Sequence, residues 1–166
     1  MRSVRCVKSL LKGTLTDDRD GQTYKTVKIG NQVWMAENLN YAYLGGSKNL
    51  DDSPSLDSTS FCYENDPANC DTYGRLYLWS AAMDSAGIIS GSPNHCGYNK
   101  KCTPSWPVRG VCPDGWHLPE KTEWEELIKT AGGLTSSKAL KSRSGWKNNE
   151  NGLQKGFSYR TCKTFS

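Results

Sequence analysis

The chain has 166 residues, with 21 basic and 17 acidic side chains and a net charge of +4, which fits one domain and leaves little room for a second. Leu, Ile, Val and Phe together number only 27, so the six Trp and eight Tyr must supply much of the core. The composition excludes a coiled coil or collagen-like chain. No apolar run approaches the roughly 18–20 residues of a membrane span, and the absence of a basic tract argues against nucleic acid as a partner.

Residues 1–12 carry scattered charges, and Leu10-Leu11 is their longest apolar run. A signal peptide needs an apolar core of about 7–15 residues, so no targeting signal is visible there. Arg5 also spoils a lipoprotein-type cleavage site at Cys6. Residues 14–38 read as β-rich. Asp20-Gly21 and Gly30-Asn31 are hairpin signals around a strand over 23–29, and a second strand follows over 32–35. Asp17, Asp18 and Asp20 read as an acidic turn. Aligning Gly21 with the sixth position of a calcium loop puts Val27 at the twelfth, where a carboxylate is required.

Residues 45–60 form a polar, Ser- and Asp-rich loop. Cys62 and Cys70 bracket a turn-rich segment, and residues 75–79 read as a strand. A short Ala-rich helix over 80–86 is expected to stop at Gly87. Residues 88–111 make a long loop. The clearest helix spans 120–131, where Trp124, Leu127, Ile128 and Ala131 fall on one face. Glu120 and Glu123 suit its first turn, and Gly132-Gly133 ends it. Residues 139–146 read as a strand or loop and 148–152 as a turn.

The seven cysteines are Cys6, Cys62, Cys70, Cys96, Cys102, Cys112 and Cys162. Zinc ligation needs close Cys or Cys/His pairs, and His95 beside Cys96 has no second pair. Disulfides are the better reading. Cys62 with Cys70 and Cys96 with Cys102 are close enough in sequence for local bridges. Cys6, Cys112 and Cys162 are left unpaired or as alternative partners, since six thiols alone allow 15 connectivities.

Four segments in order, residues 17–41, 73–86, 98–124 and 139–152, resemble the Fibrobacter succinogenes major paralogous domain. Their most distinctive strings are WMAENLNY and PVRGVCPDGWHLP. The resemblance runs from Gly13 to Phe157, leaving 1–12 as a segment outside it and 158–166 as a divergent tail. It implies an exported, often lipid-anchored bacterial protein of extracellular or cell-surface location. The segment from Trp116 to Trp124 also resembles formylglycine-generating enzymes, which implies an α+β, C-type-lectin-like fold. That fold has small twisted antiparallel sheets, helices over 80–86 and 120–131, and long disulfide-pinned loops. The resemblance further implies an incomplete domain, whose missing closing strand would carry a partner for Cys112. An unpaired sheet edge open to association, and an uncovered patch near Cys112, Trp116 and Trp79, are then expected.

His117 and Glu123 could form an acid–base pair, but a structural histidine is favoured. Glu123, Glu125 and Glu126 read as a solvated helix face. No catalytic residue, metal ligand or cofactor is assigned. Trp34, Trp79, Trp116 and Trp124 are expected in the core. Tyr41, Tyr43, Tyr98 and Trp106 fall in loops and are candidate ligand-binding rings that could stack on sugars. The expected function is a non-catalytic binding or structural module for glycan, plant cell-wall polysaccharide or another cell-surface component. The alternatives are a thiol-dependent enzyme using Cys112 or Cys162, and a shortened, inactive paralogue.

Overall fold

The computed structural model describes residues 2–8, 13–44, 59–97 and 101–133, and the chain divides into two units, Met1–Glu120 and Lys121–Ser166. Among the described residues the first unit holds seven short strands: β1 (Arg2–Ser3), β2 (Val7–Lys8), β3 (Thr14–Thr16), β4 (Thr23–Ile29), β5 (Gln32–Met35), β6 (Ser60–Phe61) and β7 (Leu76–Tyr77). It also holds helices α1 (Pro67–Tyr73) and α2 (Trp79–Ala82), whereas α3 (Lys121–Thr130) belongs to the second unit. The strands form two antiparallel sheets, β2-β5-β4-β3 and β1-β7-β6. The chain is therefore α+β. The Gly30-Asn31 turn joins β4 to β5 with Ile29 opposite Gln32, as the hairpin signal predicts. β4 buries Tyr24 between exposed Thr23 and Lys25, and β5 buries Val33, Trp34 and Met35 in succession.

The amino-terminal segment is the fold's tie. Although residues 1–12 were expected to lie outside the resemblance, β1 pairs with β7 and β2 pairs with β5, so one segment borders both sheets. The Cys6 and Val4 carbonyls accept from the N–H groups of Met35 and Leu39 at 3.1 and 2.9 Å. On its other side Val7 exchanges backbone bonds with His117, at 3.0 and 3.2 Å. Thus His117 holds a strand through its backbone. Val4, Cys6 and Val7 are all buried in the process.

This placement sets Cys6 against Cys112, and the two form a disulfide with a Cα separation of 5.9 Å. Of the three cysteines left unpaired or as alternative partners, these two pair with each other. The cysteines lie 106 residues apart, and only the pairing of β2 and the His117 bridge brings them together. The two local bridges form as expected, Cys62–Cys70 and Cys96–Cys102, with Cα separations of 5.0 and 5.1 Å. Cys162 lies outside the described residues. The Cys6–Cys112 bridge lies in one buried core cluster with Tyr24, Val33, Met35, Leu39, Tyr77, Ala81, Val111 and Trp116. Cys112 and Trp116 are therefore enclosed, and the expected uncovered patch fails at both. Trp79, expected in the core, is 54% exposed. As the first residue of α2 it turns outward, while Ser80, Ala81 and Ala82 turn in. Gly110 approaches the end of this helix: at a φ of +54° it lies so close to the Ala82 carbonyl that a Cβ would collide with it. Glycine alone suits both demands.

Two helices differ from expectation. The segment between Cys62 and Cys70 is more than turns, because a 3-10 turn over Tyr63–Asn65 leads into α1. Asp66 caps α1 by accepting from the Ala68 N–H at 3.0 Å, and Pro67 occupies its first turn. Asp followed by Pro is a helix-start signal that the turn-like composition obscured. α2 ends at Ala82 and does not continue to residue 86, because Asp84 takes a left-handed conformation at φ 51°. Its N–H bonds to the Ala81 carbonyl and that of Ser85 to the Ser80 carbonyl, closing the helix where a glycine would normally stand.

In the second unit, α3 fits the sequence pattern. Leu127 is buried and Trp124, Ile128 and Ala131 are partly buried, while Lys121, Thr122, Glu125, Glu126, Lys129 and Thr130 face solvent. Gly132 and Gly133 close it, donating to the carbonyls of Lys129 and Ile128 at 3.1 and 2.8 Å.

Removing the Cys6–Cys112 bridge frees a much longer loop than removing Cys96–Cys102. The chain-entropy relation predicts losses of about 4–5 and about 2 kcal/mol for the paired Cys→Ser variants. Urea unfolding of the two variants tests this order, and non-reducing peptide mapping should recover a Cys6–Cys112 peptide.

Candidate functional site

The four candidate rings do not assemble into one site. Tyr98 lies outside the described residues. Tyr43 is fully buried, which removes it as a ligand-contacting ring. Its hydroxyl donates to the Asp84 carboxylate at 2.7 Å, and Ser60 brackets its backbone. Tyr41 is partly buried, with the Arg19 guanidinium 3.9 Å from the ring centroid. Trp106 is the member that stands out from the surface, 64% exposed.

Arg19 explains the condition of Tyr41. Its Nε and Nη2 donate to the two oxygens of the buried Asp17 carboxylate at 2.7 and 2.6 Å. Nη1 donates to the Val111 carbonyl at 3.0 Å. Burial works against the charge on Arg19, but the Asp17 hydrogen bonds and charge outweigh it and raise the guanidinium's pKa. A cation thus already occupies the acidic turn through the protein's own side chain. Gln22 extends the network, donating to Asp20 at 2.7 Å and to the Asn40 carbonyl at 3.2 Å. The Asn40 N–H donates to the Tyr24 hydroxyl at 3.0 Å, and the Tyr77 hydroxyl donates to the Tyr41 carbonyl at 2.7 Å. These bonds fasten the backbone beside Tyr41 to the first hairpin and to β7.

Asp84 fastens a second loop. Besides the Tyr43 hydroxyl, its carboxylate accepts from the N–H groups of Ile89 and Ser90, at 3.1 and 2.7 Å. Asn94 continues the pattern, bonding the Met83 carbonyl and the Cys96 N–H at 2.7 and 2.9 Å. Cys96–Cys102 then closes the stretch that leads to Trp106. Met83, Cys96 and Val108 form a small core beneath it.

A third loop presents rings that the sequence reading passed over. Tyr63 and Tyr73, 53% and 58% exposed, flank the Cys62–Cys70 bridge. Asn69 donates to the Tyr63 carbonyl at 3.0 Å and Asn38 to the Tyr73 carbonyl at 2.8 Å. The signal was available: an aromatic next to a bridged cysteine, and another at the end of a seven-residue helix, have little core to enter.

The family model described as the Fibrobacter succinogenes major domain matches residues 27–164. No curated protein and no solved structure matches the chain.

Two outcomes follow from these networks. Tyr43→Phe deprives the buried Asp84 carboxylate of a donor, and should lower unfolding free energy by about 1–3 kcal/mol; an unchanged urea midpoint would contradict the assigned role. Burial pushes the Tyr24 phenol up to about 12 from its ordinary 10, against the Asn40 N–H. Its neutral form is therefore favoured by folding, and this stabilisation is complete below pH 10 and lost as pH rises towards 12. Tyr77 shifts in the same direction, mainly through burial. Urea midpoints across that range should fall, and Tyr24→Phe should flatten the decline.

Proposed function

This chain belongs to the Fibrobacter succinogenes major domain family, and we propose that it is a non-catalytic binding module of C-type-lectin-like arrangement, working outside the cytoplasm on a polysaccharide ligand. The observation that carries this reading is the set of half-exposed rings within or just beyond disulfide-closed loops. Trp106 follows the Cys96–Cys102 bridge, and Tyr63 and Tyr73 flank Cys62–Cys70. A sugar ring has apolar faces suited to stacking on an aromatic. Rings whose backbone is already fixed lose little freedom when they bind.

The buried polar groups support the same reading. Asp17 is committed to Arg19, and Asp84 to Tyr43 and two backbone N–H groups, so both carboxylates hold loops in place. The alternative of a thiol enzyme loses Cys112, which is sealed in its bridge with Cys6. Three disulfides among the described residues suit an oxidising compartment. No helix among those residues is long and apolar enough to cross a membrane.

Oxidised protein should be retained by insoluble cellulose or xylan, or by a component of a glycan array. Trp106→Ala should weaken that binding roughly tenfold, about 1.4 kcal/mol, without moving the urea midpoint. A cooperatively folded chain that binds none of these ligands would overturn the proposal.

A further inference from the structure

The bridge between Cys62 and Cys70 differs from the buried Cys6–Cys112 bridge in its accessibility and in its neighbour. Both sulfur-bearing residues of Cys6–Cys112 are fully enclosed, which shields them from attack. At the other bridge Cys62 is partly exposed and Cys70 is buried. The Arg75 Nη1 donates to both sulfurs, at 3.4 Å to Cys62 and 3.3 Å to Cys70. This guanidinium is not free to wander. Its Nε donates to the Ser60 hydroxyl at 3.2 Å, and the Arg75 backbone N–H to the Leu39 carbonyl at 3.0 Å. A neutral disulfide gains little from a fixed cation, but a thiolate gains a charge-assisted hydrogen bond.

We propose that Cys62–Cys70 is a thiol–disulfide exchange site, opened by a dithiol that attacks Cys62 and expels Cys70 as a thiolate held by Arg75. One thiolate of the dithiol forms a bond to the Cys62 sulfur. The Cys62–Cys70 bond breaks, and its electron pair stays on the Cys70 sulfur. The dithiol's second thiol, after losing its proton to solvent, attacks its own sulfur in the mixed disulfide. This releases Cys62 as a thiolate that takes up a proton. Two electrons have then moved from the dithiol, now a disulfide, to the cysteine pair. Residue exposure sets the direction of attack, because Cys62 is the more exposed partner, while the Arg75 guanidinium lies within reach of the sulfur that leaves. Opening releases the segment carrying Tyr63 and α1, while Cys6–Cys112 keeps both sheets tied.

The test equilibrates the oxidised full chain with graded ratios of reduced to oxidised dithiothreitol near neutral pH, then traps free thiols by alkylation and maps them by mass. Cys62–Cys70 should open at a lower ratio than Cys96–Cys102, and Cys6–Cys112 last. Arg75→Gln should lower the equilibrium constant for opening Cys62–Cys70 roughly tenfold. Arg75→Lys should restore part of it, with Cys96–Cys102 unmoved in both. Brief exposure to glutathione should place the mixed disulfide on Cys62. An unchanged constant in a folded Arg75→Gln variant overturns the proposal, as does an adduct on Cys70. If that variant does not fold, the wild-type chain decides: Cys62–Cys70 opening no more readily than Cys96–Cys102 overturns it equally.

Discussion

One segment of the chain, residues 2–8, borders both sheets and is locked to the rest by Cys6–Cys112. Two-residue strands such as β1 and β2 have little stability of their own. They persist here because the segment between them buries Val4 and Cys6, and because the disulfide prevents it from leaving. The remainder of the first unit leans on that arrangement. β5 reaches its edge partner through it, Trp116 and Val111 share its core cluster, and the His117 backbone completes its second side. A chain with few aliphatic residues gains a great deal from such a tie, since the crosslink restricts the unfolded chain and so lowers the entropy lost on folding.

Buried polar groups do the work that regular structure does in richer cores. Arg19 with Val111, Gln22 with Asn40, and Asp84 with Tyr43 each join segments that have no ladder of backbone bonds to hold them. Every one of these bonds satisfies a group that would otherwise be costly to bury. The networks are therefore specific as well as stabilising, because only one arrangement of the loops satisfies them together.

Fixed loops and exposed rings belong together in this fold. Tyr63 lies inside the loop closed by Cys62–Cys70, while Tyr73 and Trp106 stand shortly after a short disulfide. Their aromatic side chains are left at the surface because the core is already filled by Tyr24, Tyr43, Tyr77 and Trp116. Arg75 links the two themes, since it packs against the bridge that shapes the Tyr63–Tyr73 segment and anchors itself on β6 through Ser60.

Features governed by near neighbours were legible in the sequence. The β4–β5 hairpin follows from Gly30-Asn31, the α3 face from the spacing of Trp124, Leu127, Ile128 and Ala131, and the two local bridges from cysteines eight and six residues apart. Each depends on chain geometry over a few residues, which composition and periodicity encode directly. Tertiary structure alone decided the rest. It paired Cys6 with Cys112, and it took Tyr43 out of the surface by offering Asp84 as a partner 41 residues away. It also ended α2 early, by giving the Asp84 carboxylate two backbone donors in the following loop. Finally, it left Trp79 outside, while Ser80, Ala81 and Ala82 of the same short helix are buried. Burial and pairing depend on which distant segments meet, and residue type alone does not carry that information.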